Sequence, residues 1–158
     1  LEKYLDEAID SMVRDGNRLK ILGDVSRLSP ELRRRIDKTE ELNRQIEGFQ
    51  ANLCVNYGGR DEILRGVKSV VRDIKEGIIG EEDVTEELFS SKLYTAGIPD
   101  PELIIRPSGE ERLSNFLLWQ CAYSEFWFSD VMWPDFTRSE LDKALAAYQR
   151  RDRRFGGV

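Results

Sequence analysis

The residues best suited to chemistry lie in one short stretch, Ile105 to Trp119. It reads I-R-P-S-G-E-E-R-L-S-N-F-L-L-W, with Arg106 and Arg112 on either side of a glycine turn and Ser114 just after them. A guanidinium group offers paired N–H donors that match phosphate oxygens, and a serine hydroxyl can donate a further hydrogen bond. Such a cluster predicts a pyrophosphate-binding site.

A purely structural explanation of the same residues stays open. Ser114 could serve only as a helix N-cap, and the two arginines could pair with acidic neighbours at Glu110, Glu111 or Asp100. Because the whole chain carries a net charge of -6, a local cluster of arginines requires an explanation. On residue types alone the two explanations remain about equally open.

The architecture predicted to hold these residues is α/β, with a mostly parallel sheet and helices on both faces, in a single domain over 1–158. Ligands of such sheets bind beyond the carboxyl ends of the strands, where helix N-termini expose N–H groups. Strands are predicted at Arg18–Leu22, Phe49–Asn56, Leu103–Ile105 and Phe126–Phe128. Helices are predicted from the start of the chain to Asp15, from Ser29 to about Ile46, from Asp61 to Gly77, around Thr85–Ser90, over Asn115–Ala122, and from Asp135 or Thr137 to about Arg151.

Composition excludes several classes of function. Histidine is absent, so acid, base or metal chemistry must use Asp, Glu or Arg. The net negative charge argues against sequence-independent binding of nucleic acid. No apolar run approaches the ~20 residues that span a bilayer, which predicts a cytoplasmic protein. Cys54 and Cys121 are predicted to be buried free thiols, since they lack the close spacing of a zinc site.

Several motifs together resemble the cis-prenyltransferases of the undecaprenyl pyrophosphate synthase kind. The strongest is R-P-S-G-E-E-R-L-S-N-F-L-L-W-Q-C-A-Y-S-E from Arg106, followed by W-P-D-F at Trp133 to Phe136. I-L-G-D from Ile21, N-Y-G-G-R from Asn56 and R-R-F-G-G from Arg153 follow the family order. The resemblance covers nearly the whole chain. It implies an enzyme of isoprenoid and cell-wall lipid-carrier biosynthesis that adds isopentenyl pyrophosphate repeatedly to an allylic pyrophosphate such as farnesyl pyrophosphate, with Z geometry and magnesium as cofactor.

The resemblance also assigns roles to individual residues. By it, the pyrophosphate of isopentenyl pyrophosphate is held by Arg106, Arg112 and Ser114, and Glu125 helps to place magnesium. The alternative explanation of Glu125 is a solvated carboxylate before a strand. In a homodimer, the tail residues Arg154 and Gly156 would reach the neighbouring subunit's site. One departure is Pro107, where many members have threonine; proline has no N–H to offer a phosphate.

The family's allylic site is not found in this chain. D-G-N-R at Asp15 to Arg18 looks like its D-G-N-x-R signature, but it follows a charged helix pattern and leads into a strand, which predicts a helix-ending turn. We therefore expect the chain to be the C-terminal part of the domain. The catalytic aspartate would lie upstream, and the isolated chain would be inactive.

Other functions stay possible at this level. Some cis-prenyltransferases pair a catalytic chain with a non-catalytic accessory subunit, and an anion-binding α/β module without enzymatic activity would also fit the arginines. The complete R-x5-R-x-S-N motif favours a catalytic chain. Gly58 and Gly59 either let backbone approach a phosphate or simply make a tight turn. No transmembrane segment is predicted, although a lipid product would bring the enzyme that contains this chain to the membrane surface.

Overall fold

The computed structural model describes residues 2–151, which form an α/β fold whose strands pair in parallel. The chain divides into two compact units, one up to Gly97 and one from Ile98 onward. The expectation of a single domain stays a prediction. The helices and strands are α1 Glu2–Arg14, β1 Arg18–Leu22, α2 Pro30–Asn43, β2 Gln50–Cys54, α3 Gly59–Lys75, α4 Glu86–Ser90, β3 Leu103–Arg106, β4 Glu125–Phe128 and α5 Arg138–Gln149.

The first unit is built on the parallel pair β1 and β2, in register from Arg18 opposite Gln50 to Leu22 opposite Cys54. Alternate side chains of a strand share a face, so Leu19 and Ile21 lie together under the helices α1 and α2. Apolar spacing at i and i+4 gives each helix one buried stripe. The resulting core contains Leu5, Ile9, Leu19, Ile21, Leu28, Leu32, Ile36 and Val55.

The ends of these helices follow local rules, with one tertiary exception. Gly16, at φ +68°, ends α1 as predicted, and the hydroxyl of Ser29 accepts a hydrogen bond from the N–H of Leu32 at the start of α2. The helix α2 stops at Asn43, three residues before the predicted end at Ile46. The Asn43 side-chain amide donates to the carbonyl of Leu19 at 2.7 Å and accepts from its N–H at 3.1 Å. Asn43 thereby gives hydrogen-bond partners to the backbone N–H and carbonyl groups of Leu19 in β1.

The second unit contains the parallel pair β3 and β4, with Leu103 opposite Glu125 and Arg106 opposite Phe128. Thr137, one of the two predicted caps, is the residue before α5. The Tyr148 hydroxyl of that helix donates to the carboxyl of Glu102 at 2.9 Å. Across the described part of the chain, no helix has the length and hydrophobicity that a membrane span requires.

The predicted helix over Asn115–Ala122 is wrong. This segment forms a series of turns. Two of its residues take a left-handed backbone, Asn115 at φ +65° and Leu117 at +44°, and so does Ser114 just before it, at +49°. Two consecutive residues at positive φ cannot start a right-handed helix. The helix N-terminus expected beside the arginines is therefore absent from this segment.

Candidate functional site

The candidate site is built on the loop that leaves β3. Arg106 is the last residue of the strand, and its carbonyl accepts a hydrogen bond from the N–H of Ser129 at 3.0 Å. Ser108 and Gly109, both at positive φ, donate their N–H groups to the carbonyls of Val131 and Ser129, each at 2.9 Å. The carboxyl ends of β3 and β4 are thereby joined, which fixes the direction in which the loop projects.

This loop brings the three predicted anion ligands together. The guanidinium of Arg106 donates to the hydroxyl of Ser114 at 3.4 Å, and it lies 3.8 Å from the carboxyl of Glu110. Arg112 contacts the same Glu110 oxygen directly. The Arg106 side chain is 34% exposed and that of Arg112 is 68% exposed, so both can reach a ligand from solvent. The backbone supplies little, since Pro107 has no N–H and those of Ser108 and Gly109 are already bonded.

An apolar cavity of about 210 Å³ opens beside the two guanidinium groups. Its aromatic wall includes Phe126 and Phe128, whose rings stack with centroids 5.9 Å apart. Their i, i+2 spacing on β4 places both rings on one face of the strand. The cavity is lined by Ile104, Ile105, Arg106, Pro107, Arg112, Leu113, Phe116, Phe126, Phe128 and Trp133. The arrangement suits a ligand with an anionic head and a short apolar body.

Glu125, the predicted magnesium ligand, is not part of this cluster. It is the first residue of β4 and lies opposite Leu103, whereas Arg106 lies opposite Phe128, about 10 Å further along the strands. The carboxyl of Glu125 accepts a hydrogen bond from Arg151 at 2.5 Å. The same Arg151 donates to the carbonyl of Phe126 at 3.0 Å.

Magnesium prefers carboxylate oxygens together with substrate phosphates. Among residues 2–151 no group of three or more Asp, Glu, Cys or His side chains is close enough to hold a metal ion. Glu125 is a single carboxyl that already pairs with a guanidinium group. The described residues therefore do not fit a magnesium site by themselves, and the magnesium requirement stays a prediction.

The N-Y-G-G-R turn lies in the first unit, at the carboxyl end of β2. Gly58 precedes α3 with an ordinary extended backbone, φ -152°. A polar cleft beside it is lined by Asp24, Arg27, Asn56, Tyr57, Gly58 and Asp61. Hydrogen bonds from Ser26 hold the pKa of Asp24 below its usual range. Two acidic side chains against one arginine disfavour a phosphate here, so the turn explanation of the glycines gains support.

Asp15 lies in the turn after α1 beside Ser11 and Arg14, which agrees with a helix end. Arg154 and Gly156 lie outside the described residues. Both cysteines are free as predicted, Cys121 buried and Cys54 half-buried. Burial, together with the nearby charge of Glu62, raises the pKa of Cys54 to about 11.

Comparison with known proteins agrees with the motifs. Residues 1–156 match a prenyltransferase family model described as putative undecaprenyl diphosphate synthase. An isoprenyl transferase from Clostridium perfringens is 51% identical over 156 residues, which cover 99% of this chain and 62% of that protein. One from Geobacillus kaustophilus is 46% identical over 157 residues, covering 99% and 61%. The chain thus spans about three fifths of the length of these relatives.

Solved structures of similar proteins share the fold. Lavandulyl diphosphate synthase from Lavandula x intermedia, in complex with dimethylallyl diphosphate, superposes with a TM-score of 0.90 at 36% identity, over 99% of this chain and 68% of that one. A probable undecaprenyl diphosphate synthase from Campylobacter jejuni gives 0.80 at 34% identity, over 98% and 70%. The chain belongs to the undecaprenyl diphosphate synthase family of prenyltransferases.

Proposed function

We propose that this chain supplies the isopentenyl-pyrophosphate site of a cis-prenyltransferase that condenses isopentenyl pyrophosphate onto an allylic pyrophosphate with Z geometry. The observation that carries the proposal is the convergence of Arg106, Arg112 and Ser114 beside an apolar cavity. Family membership agrees with it, because the relatives at 46 to 51% identity are isoprenyl transferases.

Each part of the site has a defined task in this proposal. The guanidinium groups of Arg106 and Arg112 bind the pyrophosphate oxygens through paired N–H donors, and the Ser114 hydroxyl adds one more. The aromatic wall of Phe126 and Phe128 packs against the five-carbon body and keeps water from it. Binding both ends of the substrate fixes its orientation before the new carbon–carbon bond forms.

Other parts of the reaction are proposed for the longer protein. We propose that it contains the allylic site with its catalytic aspartate and uses magnesium. We also propose that it forms a homodimer in which Arg154 and Gly156 reach the partner's site. We also propose that this longer protein works in the cytoplasm. Magnesium, when bound, would neutralise the charge that develops on the departing pyrophosphate; Glu125 could contribute only after releasing Arg151.

Replacing Arg112 with alanine is expected to weaken the binding of isopentenyl pyrophosphate to the chain. The loss of one charge-assisted, bidentate contact corresponds to roughly 1.5 to 3 kcal/mol, or about 10- to 150-fold in Kd. Titration calorimetry measures it directly. The matched control is Arg138→Ala, which removes an exposed arginine outside the cluster and should leave Kd within about twofold. Equal affinities of the folded Arg112→Ala and unmodified chains would contradict the site.

The chain by itself is expected to form no prenyl product from farnesyl and isopentenyl pyrophosphates. Its D-G-N-R string follows a helix, and Asp15 is exposed in the turn after α1, so we do not assign this aspartate to the allylic substrate. A radiolabel assay with organic extraction measures product. Turnover above background that disappears in Asp15→Asn would show that this rejected motif does act.

A further inference from the structure

Glu110 takes the position between the two guanidinium groups where an anion would bind. Its Oε2 atom lies 3.8 Å from Nη2 of Arg106 and in direct contact with Nη2 of Arg112. That oxygen is shielded from solvent and accepts no well-formed hydrogen bond from the described residues. The ion pairs with the two arginines are therefore the contacts that hold this oxygen.

A ligand oxygen that bridged Arg106 and Arg112 would occupy the space of this Glu110 oxygen. A pyrophosphate and a carboxylate also repel each other at such distances, because like charges a few ångströms apart interact unfavourably even near a surface. Binding must consequently break the ion pairs of Glu110 and move its side chain outward. Within the described residues, the ion pairs of the Glu110 side chain are those with the two arginines, so these are the pairs that such a movement would break.

We propose that Glu110 is an internal counter-anion that pyrophosphate must displace, so that it sets the affinity and the selectivity of the arginine pair. A weakly charged anion gains too little from the guanidinium groups to displace a tethered carboxylate. A multiply charged pyrophosphate, with several oxygens, gains enough. The inference rests on the proposed function, since it concerns the same site.

The test is a titration of the full chain with inorganic pyrophosphate in metal-free buffer at about 0.15 M salt. Glu110→Gln keeps the size of the side chain and removes its charge, so it should bind pyrophosphate roughly tenfold more tightly than the unmodified chain. Glu110→Ala should shift Kd in the same direction. Glu111→Gln is the matched control, because Glu111 is the next residue, is exposed and makes no ion pair within the described residues. It should stay within about twofold.

The outcomes separate the two proposals. If Arg112→Ala weakens pyrophosphate binding but Glu110→Gln and Glu110→Ala leave it unchanged or weaken it, Glu110 positions the arginine and the counter-anion proposal is overturned. An equal gain in Glu110→Gln and Glu111→Gln also overturns it, since the effect would then be one of net charge. If neither the unmodified chain nor Glu110→Gln binds pyrophosphate, the proposed function itself fails.

Discussion

Replacing Gly23 with alanine is expected to lower the free energy of unfolding by about 4 kcal/mol, among the largest effects of a single substitution. Gly23 follows β1 with φ +125°, a conformation that residues with a Cβ rarely adopt. A Cβ atom there would lie 2.2 Å from the backbone carbonyl oxygen of Val55. Because that atom belongs to the backbone beyond β2, the two strand ends would have to separate.

The separation would break specific hydrogen bonds that join the strand ends. The N–H of Val55 donates to the carbonyl of Leu22 at 2.9 Å, and the Asn56 side chain donates to the carbonyl of Asp24 at 3.0 Å. Urea denaturation followed by circular dichroism measures the change. The control is Gly77→Ala, also at positive φ, +69°, where the added Cβ would meet no described residue within 4 Å apart from its chain neighbours; roughly 1 kcal/mol is expected there. A Gly23→Ala chain no less stable than Gly77→Ala would contradict the argument.

Replacing Glu62 with alanine should destabilise the first unit by on the order of 3 kcal/mol. The Glu62 side chain is fully buried. Its carboxyl accepts hydrogen bonds from the hydroxyl of Tyr57 at 2.5 Å and from the N–H of Tyr94 at 2.7 Å. Alanine removes both acceptors and leaves a cavity, so two donors lose their partner in a poorly solvated place.

Glu62→Gln distinguishes loss of the acceptor from loss of volume. Glutamine fills the same space and keeps one acceptor oxygen, so about half of the alanine effect is expected. Denaturant unfolding gives both values, and hydrogen exchange at the Tyr94 amide reports the lost bond directly. Similar stability of Glu62→Ala and the unmodified chain would show that this network carries little of the fold's stability.

Local patterns were enough to predict most elements of the fold. The strand β1 and the start of α2 follow from apolar spacing and from the Ser29 cap, because these signals act between residues close in sequence. The same reasoning failed over Asn115–Ala122, where a helix-like composition forms turns with positive φ. Helix propensities amount to tenths of a kcal/mol per residue, and non-local contacts readily override them.

The sequence by itself identified the candidate pyrophosphate ligands and, through its motifs, the family to which the chain belongs. Arg106, Arg112 and Ser114 stand out by residue type and spacing, and the resemblance to the family favours anion binding over pairing with acidic neighbours. The sequence offered Glu110 as one of three acidic partners of the arginines, and the tertiary structure selected it. Only the tertiary structure placed Glu125 at the far end of the strand pair. The physical reason is that the pairing register of β3 and β4 sets where Glu125 lies relative to Arg106. The turn with positive φ at Ser108 and Gly109 brings Glu110 against arginines that are its near neighbours in the sequence.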